Sequence, residues 1–377
     1  MTGAARGDTA CPVHEQNPPL RRGWTTGACA TAAAKAAFAA LRTGAFPDPV
    51  TITLPRGERP AFALAEHALL PDGGAMAAVV KDAGDDPDVT HGALVRATVR
   101  ALPPGSGVVF AAGEGVGTVT LPGLPLPPGE PAINPMPRAM IRAALAEVLG
   151  AEVAGGEADA RVEISIPGGA ALAERTMNPR LGILGGLSVL GTTGIVVPYS
   201  CAAWIHSIHR GIDVARAAGL AHVAGATGST SEEAIRRHHA LPEQALIDMG
   251  DFVGGMLKYL RAHPVPRVTI AGGLAKLTKL AQGRLDLHSR RGAVDLPALA
   301  ELARAAGAGE ALAARIATAN TALEAFTLAG AEGIGLPRAV AEEARRVAQC
   351  VVEGAPIRVG VALFGRDGAL LAESGED

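Results

Sequence analysis

Between Ile195 and Gln282 the chain alternates short strand-like runs with helical ones, and this rhythm restricts its fold more than any other feature. Ile195–Pro198 leads into a helix from Tyr199 to Ala218. His222–Ala226 precedes a helix from Ser231, Ala245–Met249 precedes helix Phe252–Ala262, and Val268–Ala271 precedes helix Leu274–Gln282. Strands separated by helices return to a sheet in parallel, because parallel pairing needs a crossover rather than a tight turn. The pattern predicts a Rossmann-like parallel sheet with helices on its faces. Helices near Leu296–Ala306, Ala311–Leu328 and Pro337–Val351 close it. A last hairpin joins Ile357–Phe364 to Ala369–Ala372.

The first half reads differently. Short β-rich runs cover Val50–Leu54, Ala61–His67, Ala75–Lys81, Ala93–Ala101 and Val108–Ala111, bounded by Pro, Gly and Asp. A helix spans 27–41. Another spans Pro135–Leu149, with Asn134 as N-cap and Pro135 at its first position. Arg161–Ile166 returns to strand. A chain of 377 residues has room for two cores. The expected architecture is α/β: a flexible tail over 1–20, an α+β domain over 21–166 and a Rossmann-like domain over 167–377. Hydrophobic residues make up 48% and aromatics 3%, so Ala, Val, Leu and Ile must build both cores.

Several function classes fall away. A net charge of −3 with no Lys/Arg stripe argues against nucleic acid. Cys11, Cys29, Cys201 and Cys350 stand apart without a CxxC, as free thiols rather than disulfides or zinc ligands. The first residues contain no apolar signal segment. Leu181–Ile205 carries no charge and is long enough to span a bilayer. However, Gly182, Gly185, Gly186, Gly191, Gly194 and Pro198 interrupt it, so two short buried strands joined by glycine turns are expected. The expectation is a cytoplasmic protein without membrane contact. Whether it forms a homo-oligomer is left open.

Several motifs carry polar chemistry. Arg21-Arg22-Gly23-Trp24-Thr25-Thr26-Gly27 is a basic loop breaking into a helix. Thr25 or Thr26 can cap it, and Gly44 can end it. Its bare start is either an anion site or an ordinary capped helix. In Lys81–Gly92, Asp82, Asp85, Asp86, Asp88 and His91 crowd one loop. They suit a Mg²⁺ or Ca²⁺ ion, a cationic ligand, a general base, or a plain turn. Gly113-Glu114-Gly115-Val116-Gly117 precedes β-like residues, so a hairpin or ligand-approach loop fits it better than a dinucleotide fingerprint. Gly191-Thr192-Thr193-Gly194 is a tight turn or a loop offering hydroxyls to a ligand. Thr227 and Gly228 follow a strand of the alternating half, where open α/β sheets place ligands. His206 and His209, one helical turn apart, lack a third metal ligand. Lys276 and Lys279 share a helix, and His288-Ser289-Arg290-Arg291 is a second basic loop.

Together, LRRGWTTGACATAAAKAA, VVKDAGDDPDVTHG, GEGVGTVTLPGL, GEPAINPMPRAMI, ISIPGG, NPRLGILGGLSVLGTTGIV and KLTKLAQGRLDLHS occur in this order from Leu20 to Arg291. The set resembles the cobalt-precorrin-5B (C-1)-methyltransferase family, known as CbiD. The resemblance implies S-adenosylmethionine-dependent methylation of C-1 of a corrin precursor in cobalamin biosynthesis; no protein-bound metal is expected. It also implies an α+β part and a Rossmann-like part. Cys201-Ala202-Ala203, Ala226-Thr227-Gly228 and Gly272-Gly273 depart from the family pattern.

Methyl transfer from a sulfonium is an in-line displacement, to which a protein contributes position and electrostatics. The acceptor carries many carboxylates. Arg21, Arg22, Arg138, Arg180 and Arg291 are therefore expected to hold its rim, with Lys81, His288, Thr25, Thr26 and Gly27. Asp82, Gly113, Gly115, Gly117, Thr192, Thr193, Gly194, Thr227 and Gly228 are the expected donor contacts. Asp85, Asp86 and His91 are the candidates for acid–base work. Two other readings stay open: a corrinoid carrier without catalysis, and a metal-dependent phosphate or sugar enzyme.

Overall fold

The computed structural model describes residues 19–150 and 158–375. Most of the expected tail, residues 1–18, lies outside the described residues. Helix α1 (Thr26–Thr43) organises the first half. The Thr25 hydroxyl accepts the Ala28 amide at 3.2 Å, and Gly44, in the left-handed region, donates to the Ala40 carbonyl at 2.8 Å. Thirteen of its 18 residues are buried. A helix apolar all round must be enclosed. Here one side meets a five-stranded sheet and another meets α2 (Pro135–Leu149).

That sheet holds β1 (Glu66–Leu69), β2 (Ala75–Val80), β3 (Leu94–Ala101), β4 (Val108–Ala112) and β5 (Ala160–Ser165), in the order β1-β2-β3-β5-β4. Only β4 and β5 pair in parallel. Alternate residues Ala75, Ala77 and Val79, Val95, Ala97 and Val99, and Ala160, Val162 and Ile164 enter the same core as the α1 alanines. Small side chains on both surfaces bring helix and sheet close, which lets few aromatics suffice.

The segment after residue 166 does not pass directly to the second half. Ile183–Leu184 pairs with Thr118–Val119, and Ile195–Val196 pairs with Gly23–Trp24. Leu187 and Val189 lie in the first core. We therefore place the division near Pro198, not at 166/167. Two-residue strands bury little by themselves and must borrow partners. The two strands expected in Leu181–Ile205 are these pairs, but Leu184 and Leu190 are exposed rather than buried. Ile205 already belongs to helix α3 (Cys201–Ala217). No helix among the described residues is long and apolar enough to cross a membrane.

The second half is a five-stranded sheet. It comprises β6 (His222–Ala226), β7 (Leu246–Asp248), β8 (Arg267–Gly273), β9 (Arg358–Phe364) and β10 (Leu370–Ser374), in the order β7-β6-β8-β9-β10. The first four run parallel and β10 runs antiparallel at the edge. One face packs Val223, Val268, Ile270, Val361 and Leu363 against α3, α5 (Val253–Ala262), α6 (Leu274–Ala281) and the helices from Leu296 to Val351. The other face packs Ala224, Ala226 and Ala362 against Ala234 and Ile235 of α4 (Ser229–His238). From β6 the chain goes outward to β7, then returns across β6 to β8. The direction of winding therefore reverses between β6 and β8.

Candidate active site

A reversal of this kind opens a crevice at the carboxyl ends of the two strands, since their connections leave to opposite sides. Ala226-Thr227-Gly228 leaves β6 there, and Gly272-Gly273 ends β8. The Thr227 amide donates to the Ala271 carbonyl at 3.0 Å. A Cβ on Gly272 would lie 2.9 Å from the Thr227 hydroxyl, so this side chain rests on Gly272. By contrast, a Cβ on Gly228 or Gly273 would meet nothing within 4 Å. Both glycines face open space at the start of a helix, α4 and α6 respectively.

Asp248 closes the neighbouring strand β7, roughly twenty residues beyond Gly228. That is the spacing at which dinucleotide folds place an acid for ribose hydroxyls. It lines a cleft of about 530 Å³ with Arg180, Ser229, Glu232 and Glu243. Burial raises the Asp248 carboxyl above its ordinary range, Glu232 raises it further, and Arg180 opposes both. Arg180 binds Glu232 through two hydrogen bonds of 2.8 and 2.5 Å and reaches Glu243 at 3.4 Å. Of the basic residues expected at the rim, Arg180 is the one placed at this cleft.

The start of α1 forms a second focus. Carbonyls of the chain take two amides there: Gly27 donates to Leu190 and Thr25 to Gly194, each at 3.0 Å. A Cβ on Gly23 would lie 2.0 Å from the Ala83 carbonyl carbon, and one on Gly191 would lie 2.4 Å from the Thr25 hydroxyl. The expected anion contacts at Thr25, Thr26 and Gly27 are thereby corrected, since Thr25 and Thr26 are buried and protein carbonyls take two of the donors. Thr193 accepts the Ile195 amide at 3.2 Å and Gly194 packs on Leu54. Thr192 remains exposed.

The Asp-rich loop is satisfied by donors of the chain itself, several of them from outside the loop. Arg21 grips Asp82 with two guanidinium nitrogens, and Gly84 donates to it at 2.9 Å. Chiefly through the Arg21 hydrogen bond, the Asp82 carboxyl falls to about 2. Asp85 accepts the Arg21 amide at 2.6 Å, and Asp86 accepts the Tyr199 amide at 2.9 Å. Asp88 pairs with Lys81, which also donates to Thr90 at 2.6 Å. Lys81 is 1% exposed and cannot reach a substrate, which corrects its expected role. The ring Nδ1 of the exposed His91 accepts the Ala83 amide at 3.1 Å.

Other expectations also change. Cβ atoms on Gly113, Gly115 and Gly117 would strike Ser165, Ile166 and Ile183, within 2.0 to 2.6 Å. The chain itself fills the room that a donor would need there. Arg138 is held by the Ile133 carbonyl at 2.7 Å and Glu130 at 2.8 Å, and lies over Phe110. Arg291 and His288 sit on an exposed loop, with Arg291 3.3 Å from Asp286. Arg22 is exposed beside Arg21.

One chain segment links the two foci. Tyr199 is 68% exposed and holds a φ of 54°, a left-handed geometry unusual for a residue with a Cβ. Asp86 secures its amide. Five residues on, Trp204 is half exposed, and its indole N–H donates to the Asp248 carbonyl at 3.0 Å. With Leu190 and Val197, also exposed, these residues run from the α1 cradle to the crevice. Asp248, Glu232, Tyr199 and Trp204 were not singled out from the sequence. The signal for Asp248 was an acid at the end of the strand following the Thr227-Gly228 turn.

Residues 13–198 match the CbiD family, and residues 286–375 match the CbiD C-terminal domain. The cobalt-precorrin-5B C(1)-methyltransferase of Rhodospirillum rubrum is 62% identical over 361 residues, covering 96% of this chain and 99% of that protein. Its counterpart from Methylorubrum extorquens is 63% identical over 360 residues, with the same coverage. The crystal structure of the cobalamin biosynthesis protein cbiD from Archaeoglobus fulgidus is 28% identical. It covers 72% of this chain and 83% of that one, with a TM-score of 0.38.

Proposed function

Because the chain belongs to the CbiD family, it methylates C-1 of cobalt-precorrin-5B in cobalamin biosynthesis, and we propose that the crevice between β6 and β8 holds S-adenosylmethionine. One observation carries this reading: Gly228 and Gly273 leave open space at the switch point, with Asp248 at the end of the adjacent strand. When bound, the donor supplies an electrophilic methyl group on a sulfonium. Thr227 and the glycine backbones bring the chain close to it, and Asp248 accepts its hydroxyls.

The corrin face lies on the exposed Leu190, Val197, Tyr199 and Trp204, which offer the apolar surface that a macrocycle covers. Arg21 and Arg22 stand at the α1 end of that surface for its carboxylates. Asp85 and Asp86 serve as positioning residues, since their oxygens fix the backbone of Arg21 and Tyr199. This arrangement puts the acceptor surface next to the donor crevice, so that C-1 can meet the sulfonium methyl directly, as an in-line transfer needs.

The test is calorimetry with S-adenosylhomocysteine, paired with mass analysis of the methylated precorrin. Gly228 has a φ of 168° and Gly273 a φ of −80°, which other residues adopt. Gly228→Val and Gly273→Val should therefore fold, lose more than tenfold in donor affinity and transfer little methyl. Full affinity in both folded variants would move the donor elsewhere.

A further inference from the structure

The amino ends of β6 and β8 lie at the opposite end of the sheet from the crevice. Beside them the chain gathers two imidazoles and a carboxylate from positions more than 130 residues apart. His238 is the last residue of α4 and His239 is its C-cap. The chain leaves the helix at this point, and the two rings lie 4.7 Å apart. Glu373, on the edge strand β10, meets both: one carboxylate oxygen lies 2.6 Å from His238 Nε2 and the other 2.8 Å from His239 Nε2. The side chains of His239 and Glu373 are 11% and 6% exposed, while that of His238, at 34%, opens to solvent. One ligand atom from each residue lies within 4.8 Å of the others.

We infer that His238, His239 and Glu373 form a binding site for a divalent transition-metal ion of the zinc type, which pins the last strand to α4. Two imidazole nitrogens and a carboxylate are a donor set such ions take, with a further position left to water. Bonds of about 2.0–2.2 Å need the present contacts to open by less than 1 Å, which His238, at the rim, can supply. The carboxyl end of α4 adds a favourable dipole for a cation. Arg267 also faces the cluster, its guanidinium 4.0 Å from Glu373. That charge disfavours ions held by charge alone, such as Ca²⁺ or Mg²⁺, and leaves the advantage to ions that bond strongly to imidazole. An ion here would tie an antiparallel edge strand to the helix that starts at Gly228, without touching donor or substrate.

Chelator-treated, full-length protein should be titrated with Zn²⁺ by calorimetry and with Co²⁺ by visible absorption. One ion per chain is expected, with the d–d bands of a low-coordinate nitrogen/oxygen site and a Zn²⁺-dependent rise in Tm. His238→Ala, the mildest change, and Glu373→Gln, which keeps the volume, should each weaken binding beyond the roughly 10–100-fold that loss of an outer-sphere partner brings. Both should keep methyl transfer. His206→Ala tests the His206/His209 pair on α3 and should bind as the parent does. Absence of a stoichiometric ion, equal binding by the His238 and Glu373 variants, or loss of binding on removing His206 would each overturn the assignment.

Discussion

Asp248 keeps a carboxylate where burial and Glu232 both resist its charge, a mark of residues retained for chemistry rather than stability. The sign of its effect on folding follows. A carboxyl raised in the folded state favours folding at low pH and loses that advantage as pH rises through its folded value. Asp248→Asn should therefore melt higher than the parent at pH 7, with the gap closing toward pH 3.8. Donor affinity should fall in the same variant. A lower Tm at pH 7 would remove the argument that this charge is held against its environment. Tyr199 makes a parallel case through its backbone. Its left-handed φ stores about 1 kcal/mol, and Tyr199→Gly releases this while adding similar freedom to the unfolded chain. Stability should stay within about 1 kcal/mol, whereas KM for the precorrin should rise. An unchanged KM would take the ring out of the corrin surface.

At the scale of elements, legibility followed the distance of the partner. The alternating second half could be read because each strand is bracketed by its own helices, as with Val268–Ala271, observed as Arg267–Gly273. The stretch 181–198 resisted reading because its two-residue strands exist only by pairing with residues 118–119 and 23–24. Gly113, Gly115 and Gly117 show the same limit. Their spacing suggests a ligand loop, yet their purpose is contact with Ser165, Ile166 and Ile183. The acidic loop was conspicuous in sequence, but its donors, Arg21 and Tyr199, come from elsewhere in the chain. The cradle of α1 yields a sharp expectation. In Gly23→Ala the new methyl would meet the Ala83 backbone at 2.0 Å, and backbone cannot step aside as a flexible side chain does. A loss of about 2 kcal/mol or more is expected in denaturant unfolding, with α1 and its sheet affected first. A loss within 0.5 kcal/mol would show that the loops are free to separate.

Across the whole molecule, specific contacts tie together two cores of small aliphatic residues. Asp86 of the first half holds Tyr199, the Gly123 backbone abuts Asp213, and Arg180 crosses to Glu232 and Glu243. The Arg180 contact also sits at the cleft beside Asp248, so the joint between the halves and the proposed donor site share a residue. Replacing Arg180 by Met leaves Glu232, Glu243 and Asp248 facing one another without their cation. The side chains of Arg180 and Glu232 are 24% and 16% exposed, between a surface pair and a buried one. A loss of about 1–3 kcal/mol at neutral pH is expected on that basis. Its pH dependence separates this cause from lost packing. Arg180 opposes the rise of the Asp248 carboxyl, so without it that carboxyl moves further up. The repulsion then grows as pH rises above 3.8 and fades below it. Melting curves of parent and Arg180→Met should therefore diverge from acid toward pH 8. A deficit of the same size at every pH would mean that Arg180 acts by filling space, and that the halves are not joined through charge.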